Sequence, residues 1–219
     1  MINIILTGIG GQGTVLAAKI LAQAAKGHGW KVRSAETIGM AQRGGSVVSH
    51  VRIGNQGEEI ACPLVPLHHA DLLIAFEPAE AVRVLPYLSR KGLLVTASSG
   101  VQPVSAALAG AGYDASQMIG YLEKALDAVL VVDDESLCAQ AGSRKVLNTI
   151  LLAKALQFAS RQTASFSDGV AANEWSGDPA TNASECAMLT IADLREAVRA
   201  CVKGSFVPQN LAAIDIAMA

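Results

Sequence analysis

Gly8-Ile9-Gly10-Gly11-Gln12-Gly13, set between the apolar run at residues 2–6 and a helical pattern that begins at Thr14, decides how this chain folds. A strand, a glycine-rich turn and a helix in that order make an anion cradle. Glycines allow a sharp turn and close backbone approach, and a helix N-terminus offers N–H groups with no intrahelical partner. The spacing Gly8-x-Gly10-x-x-Gly13 matches the dinucleotide fingerprint. It does not match a Walker A loop, because Thr14 and Val15 stand where Lys and Ser/Thr are required. Gly8, Gly10, Gly11, Gln12 and Gly13 are therefore the candidate cofactor-binding residues, with a tight structural turn as the plain alternative.

Downstream, Ala17, Ile20, Leu21 and Ala24 recur at helical spacing, and Ala18, Ala22 and Ala25 allow close packing on a sheet. Gly27 and Gly29 stop this helix, and residues 30–36 read as a second strand that completes the start of a Rossmann-like unit. Glu36 closes that strand, where an acid could accept hydrogen bonds from a ribose. That favours a stand-alone NAD(P)-dependent dehydrogenase. An ordinary strand-end carboxylate is the other reading, and a non-catalytic nucleotide-binding module has no specific feature in its favour.

The pattern then breaks. Gly39-Met40-Ala41-Gln42-Arg43-Gly44-Gly45 reads as a loop and residues 46–53 as extended. Along that strand Val47, Ser49, Val51 and Ile53 share one face, while Val48, His50 and Arg52 share the other, giving a greasy side and a polar side. Gly54-Asn55-Gln56-Gly57 is a hairpin-like turn, with residues 58–62 expected to return antiparallel. Flanking glycines would expose the Arg43 guanidinium and nearby N–H groups to a carboxylate or phosphate. Arg43, Gly44, Gly45, Ser46 and His50 are the candidate substrate- or anion-binding residues, and Arg43, His50 and Arg52 form a cationic group on one short segment. A solvated turn arginine and a structural histidine are the alternatives.

Regular alternation resumes with strands at 71–76, 93–97 and 128–132 and helices at 79–88, 144–159 and 191–202. Glu77-Pro78 follows the first of these strands at a carboxyl end, where open α/β sheets bind ligands, although a helix cap serves as well. Residues 101–120 are Ala/Gly-rich and unplaced, residues 160–185 are polar and aperiodic and predict a flexible loop, and 206–219 is a mostly apolar tail. The fold class is α/β: one Rossmann-like domain over residues 1–219, with a mostly parallel sheet, helices on both faces and a β-hairpin-like insertion.

Composition narrows the function. The 219 residues are 51% hydrophobic and 16% charged, with a net charge of -2 and no basic run, which argues against nucleic acid as the main ligand. No apolar segment approaches the roughly 18 residues of a membrane span, and no basic region precedes the first apolar run; both point to a cytoplasmic protein. The apolar excess suits a partner subunit. Cys62, Cys138, Cys186 and Cys201 lack metal-site spacing, and the adjacent His68 and His69 would point different ways on regular structure, so no metal site is expected. No nucleophile elbow or Cys/His pair offers covalent catalysis, and the catalytic residues remain unassigned.

The glycine loop followed by Met40-Ala41-Gln42-Arg43-Gly44-Gly45-Ser46 and Ser49-His50-Val51-Arg52 resembles the gamma-type domain of the 2-oxoacid:ferredoxin oxidoreductases. Within that superfamily these segments are most similar to the beta subunits of indolepyruvate:ferredoxin oxidoreductases. Ala70-Asp71-Leu72-Leu73-Ile74-Ala75-Phe76-Glu77-Pro78, Glu80-Ala81-Val82-Arg83, the trio Gly142, Arg144 and Asn148, and Asn210-Leu211-Ala212-Ala213 extend the resemblance along nearly the whole chain. The polar stretch 160–185 is longer than the family's usual connection. Thr96-Ala97-Ser98 stands where an asparagine is common, and Ile214 where phenylalanine is common. The resemblance implies a large alpha subunit carrying thiamine diphosphate and [4Fe-4S] clusters, an α2β2 complex, and coenzyme A as co-substrate. It further implies oxidative decarboxylation of an aryl pyruvate to an aryl-acetyl-CoA and carbon dioxide, with electrons passing through the partner to ferredoxin. The glycine loop would then face a pyrophosphate-bearing ligand, coenzyme A first, or be purely structural.

Overall fold

The computed structural model describes residues 1–39, 44–102, 112–167 and 189–219, with the backbone alone for 163–167. A six-stranded sheet runs in the order β2-β3-β1-β4-β5-β6. Its strands are β1 (Ile2–Ile9), β2 (Lys31–Ile38), β3 (Ser46–Gly54), β4 (Ala70–Ala75), β5 (Leu88–Ala97) and β6 (Val129–Val132). The helices among the described residues are α1 (Thr14–Gly27), α2 (Pro78–Val84), α3 (Ala115–Ala125), α4 (Asp134–Gln140), α5 (Leu147–Ser167), α6 (Ile191–Cys201) and α7 (Val207–Met218).

β1 and β4 pair in parallel at the centre, and β4–β5 and β5–β6 continue in parallel. Leu72 to Ala75 are all buried, as a strand covered on both faces requires, so it reads as an unbroken apolar run. On one face Ile4, Leu6, Leu72 and Ile74 pack against α1, α5, α6 and α7. On the other, Ile5, Leu73 and Ala75 meet Ala81 and Val84 of α2 and Leu122 of α3. The small residues Ala17, Ala18, Ala24 and Ala25 of α1 are buried, which brings that helix close to the strands. It stops where Gly29, at φ +74°, returns its N–H to the Lys26 carbonyl. α6 opens on a capping box between Thr190 and Asp193, and Asp193 also takes His28 at the far end of α1.

The second strand departs from the Rossmann expectation. β3 lies antiparallel between β1 and β2, so β2 is an edge strand two places from β1. The hairpin in this fold is thus β2–β3, closed by the loop after Ile38, and residues 58–62 form no returning strand. β1 and β2 already occupy both edges of β3, which leaves no free edge for that return; the Arg52 side chain donates from Nη1 to the Cys62 carbonyl at 2.9 Å instead. The face assignment along β3 holds for Val51 and Ile53 on the α1 side and Val48 on the other. The second face is nevertheless not a polar one, since His50 is buried in it.

Two further expectations change. The helix expected at 79–88 ends at Val84 and continues as a 3-10 turn, Leu85–Tyr87, because Pro86 lacks an N–H to continue it. The long helix runs on to Ser167, so residues 160–167 are helical in place of the expected loop; the remainder of that loop, 168–185, lies outside the described residues. α3, which begins within the unplaced 101–120 stretch, and α4 have no counterpart in the sequence pattern.

Candidate functional site

α1 and α2 leave opposite faces of the sheet after β1 and β4, so the topological switch falls between these strands. In open α/β sheets this is where a crevice receives ligand. Here Gln12 fills it. Its Oε1 accepts from the Ile9 N–H at 2.7 Å and its Nε2 donates to the Phe76 carbonyl at 3.0 Å, tying the end of β1 to the end of β4. Gly8 makes room for this: a Cβ there would stand 2.7 Å from Gln12 Oε1 and 2.8 Å from the Phe76 Cβ.

The described ends of the β2–β3 connection meet the same edge. Gly10 donates its N–H to the Gly45 carbonyl at 2.8 Å, and Gly39 donates to Ser46 at 2.8 Å. Ser46 pairs in register with Ile9, and its hydroxyl donates to Glu80, whose carboxylate also takes Arg83 Nε at 3.0 Å. Gly8, Gly10, Gln12, Gly45 and Ser46 therefore form one locked unit, with Gly44 at φ +79° turning the chain into it. Arg43, with Met40, Ala41 and Gln42, lies outside the described residues.

Among the described residues, the start of α1 stays open. None of their atoms beyond Gly11's chain neighbours lies within 4 Å of the point a Cβ on Gly11, at φ +105°, would occupy, and Gly13 caps the helix at φ +85° with no side-chain cap. The first intrahelical bond runs from Ala17 N–H to Gly13, so the N–H groups of Thr14, Val15 and Leu16 have no helical partner. Thr14 and Asn148 are 2% exposed. Thr14 Oγ1 and Asn148 Oδ1 have no hydrogen-bond partner among the described residues. The Asn148 amide lies against Gly13, where a Cβ would meet Nδ2 at 3.2 Å. Unpaired N–H groups and orphaned buried polar atoms at a helix N-terminus suit a small oxyanion.

Next along the edge, Glu77 is buried, caps α2 by accepting from Glu80 N–H at 2.9 Å, and accepts the Tyr113 hydroxyl. Burial, with the Glu77 carboxylate beside it, pushes the Tyr113 phenol up from its ordinary value, so Tyr113 acts as a donor. Beyond β5, Asp134 is fully buried and takes the N–H groups of Ser98 and Ser99 at 3.0 and 2.9 Å, together with Arg144 Nη2 at 3.0 Å.

Of the expected cationic group, His50 and Arg52 both lie away from the glycine loop. His50 is opposite Ile5, four residues or roughly 13 Å along β3 from Ser46. It is 4% exposed, accepts the Val65 N–H on Nδ1 at 3.2 Å and meets the Tyr87 ring edge-on at 5.4 Å. Burial holds its pKa below the ordinary 6.5, so it is a neutral core residue and not an anion ligand. Arg52 sits at the opposite end of the sheet, its Nε donating to Asn3 at 2.9 Å. Glu36 lies on β2, opposite Ser49 and separated from β1 by the whole of β3, out of reach of a ribose at the glycine loop. Sequence reasoning missed Glu80 and Asp134 as the anchors of this edge. Their signal was position: each follows a strand's carboxyl end within a few residues.

Comparison with known proteins agrees with this architecture. A family model described as pyruvate ferredoxin/flavodoxin oxidoreductase matches residues 3–174. The indolepyruvate oxidoreductase subunit IorB of Archaeoglobus fulgidus is 39% identical over 152 residues, covering 69% of this chain and 74% of its own. That of Pyrococcus horikoshii is 38% identical over 152 residues, covering 68% and 74%. Among solved structures, a keto/oxoacid ferredoxin oxidoreductase gamma subunit from Geobacter sulfurreducens superposes with a TM-score of 0.60 at 18% identity, over 99% of this chain and 96% of that one. The pyruvate oxidoreductase subunit PORC of Thermotoga maritima does so with a TM-score of 0.62 at 16% identity, over 99% and 92%. With a central strand flanked by one antiparallel and one parallel neighbour, and a matched segment that spans most of its length, this chain belongs to the pyruvate ferredoxin/flavodoxin oxidoreductase family.

Proposed function

We infer that this chain is the smaller subunit of an indolepyruvate-type 2-oxoacid:ferredoxin oxidoreductase, acting with a large alpha subunit in an α2β2 assembly. The observation that carries the reading is the 39% identity to an indolepyruvate oxidoreductase subunit over three quarters of that relative's length. The overall reaction would convert an aryl pyruvate and coenzyme A into an aryl-acetyl-CoA, carbon dioxide and a proton, with two electrons passed to ferredoxin. Thiamine diphosphate and [4Fe-4S] clusters in the alpha subunit supply the carbanion and electron chemistry when bound.

The part of this chain is to shape and close one side of the site. Gly10, Gly11, Gln12 and Gly13, with Gly44, Gly45 and Ser46, present a rigid carboxyl edge to the partner. Arg43, carried on the loop that Gly45 and Ser46 anchor, holds an anionic group of the oxoacid or of coenzyme A. The N-terminus of α1 fits such a group, because Thr14 and Asn148 bring buried polar atoms without partners to it. The self-sufficient NAD-dependent dehydrogenase loses its footing on geometry, since Gln12 occupies the crevice and Glu36 is two strands away.

Reconstitution tests this. The purified chain alone is expected to be colourless and inactive, and to support coenzyme A-dependent aryl-pyruvate oxidation when joined by a cluster-bearing alpha subunit. Arg43→Ala is expected to raise the KM for the oxoacid or coenzyme A about tenfold with assembly intact, as for loss of a charge-assisted contact. Turnover of an oxoacid or hydroxy acid with NAD by the isolated chain overturns the reading.

A further inference from the structure

Asp134 is the most heavily bonded carboxylate among the described residues. Oδ1 accepts Ser98 N–H at 3.0 Å, Ser98 Oγ at 3.2 Å and Ser99 N–H at 2.9 Å, and Oδ2 accepts Ser99 Oγ at 2.6 Å. With about two acceptor sites on each oxygen, the serines fill Oδ1 and leave one site on Oδ2, which a single Arg144 N–H takes. One nitrogen, Nη2, makes both contacts, to Ser99 Oγ at 2.9 Å and to Asp134 Oδ2 at 3.0 Å, while the arginine side chain is 51% exposed and the aspartate not at all. Arginine often meets a carboxylate with two parallel N–H groups. Here Nη2 alone is engaged, which leaves the Nε and Nη1 donors without a partner among the described residues.

The backbone that carries it is fixed as well. Gly142, at φ +70°, turns the chain, and the Ser143 hydroxyl caps Lys145 N–H at 3.1 Å at the start of the 3-10 turn Arg144–Val146. That turn leads straight into α5, where Asn148 lies against Gly13 with its buried Oδ1 unpartnered among the described residues. Ser98 and Ser99 directly follow β5. The arginine is therefore aimed from the same carboxyl edge as the glycine loop.

We propose that Arg144 holds an oxyanion at this edge and that Asp134, with Ser99, is its positioning residue. The shared ligand chemistry is a multi-oxygen anion, drawn either from the carboxylate of the oxoacid or from the phosphates of coenzyme A. This rests on the functional reading above, and the two can fail separately.

The test uses the whole complex carrying Arg144→Gln, Arg144→Lys, Asp134→Asn or the Asp134→Asn/Arg144→Gln pair. Arg144→Gln raises one KM at least tenfold and leaves kcat within about threefold: the KM for coenzyme A if phosphate is held, that for the oxoacid if carboxylate is. Arg144→Lys, which keeps the charge, recovers part of the loss. Asp134→Asn raises the same KM, and the pair is no worse than Arg144→Gln alone, as expected when one residue acts through the other. Unchanged KM values for both substrates in an assembled Arg144→Gln complex overturn the proposal. So does loss of assembly by Arg144→Gln that Arg144→Lys restores with ordinary KM values, which makes the arginine an interface brace. Calorimetric titration of the complex with inorganic pyrophosphate needs no turnover. A parallel titration with phenylacetate, an aryl carboxylate that is not turned over, covers the carboxylate case. At least fivefold weaker binding of either anion to Arg144→Gln supports the oxyanion role, and equal or absent binding of both anions overturns it. Failure of the wild-type complex to oxidise any aryl pyruvate overturns the functional reading instead.

Discussion

At the scale of single residues, environment overrides type. His50 stands within six residues of two glycines and an arginine loop, and its chemistry looks cationic in sequence. In the fold, the Val65 N–H and the Tyr87 ring fix it as a neutral acceptor in the core. Its pKa is lowered from 6.5 by burial, so the unfolded chain takes up a proton that the folded chain refuses. The stabilisation tied to neutral His50 is thus complete above pH 6.5 and is lost as the pH falls below it. Thermal melting of the isolated chain is expected to drop by several degrees between pH 7.5 and pH 5.5. His50→Phe should start lower, for want of the Val65 acceptor, and fall less steeply. Parallel slopes in the two proteins would show that other groups control the acid limb.

At the scale of elements, the joint between β1, α1 and β4 depends on Gln12. Removing its amide leaves the Ile9 N–H and the Phe76 carbonyl without partners at the switch point, at a cost of about 1–3 kcal/mol. Gln12→Ala is expected to lower the urea midpoint accordingly; an unchanged midpoint would mean that solvent takes over both bonds. The strands with continuous apolar runs, β1 and β4, were legible from residue pattern alone, because burial on both faces leaves little other choice. β6, a half-buried edge strand, was legible by its Val and Leu residues. β3 was legible as a strand but not as a neighbour of β1. Pairing across 44 residues from Ile2–Ile9 to Ser46–Gly54 is a tertiary choice, made by the hairpin with β2, and periodicity carries no record of it. α4 left no trace in the pattern because seven residues are too few to show a helical period; in the fold Asp133 caps it and Asp134 is buried under Ser98 and Ser99. Of the site, the glycines were visible as a motif, whereas the partner of each one, Gln12 for Gly8 and Asn148 for Gly13, appears only in three dimensions.

At the scale of the molecule, no helix among the described residues is long and apolar enough to cross a membrane, and the sheet's carboxyl edge gathers the features that a partner could use. The placement of β1 between β3 and β4 has a consequence for how the chain is made. β1 leaves the ribosome before either neighbour exists, and the first of them, Ser46–Gly54, follows only some 40 residues later. At about 5–20 residues per second, this apolar strand waits roughly 2–8 s for its first hydrogen-bonding partner, and longer for β4. A nascent polypeptide stalled with residues 1–40 outside the ribosome is therefore expected to be cut readily within β1 by a protease. One stalled with residues 1–80 outside should resist, and protection already at the shorter length would mean that α1 alone shelters the strand. The residue pattern that makes β1 the centre of the finished sheet also leaves it an unpaired apolar strand while translation continues.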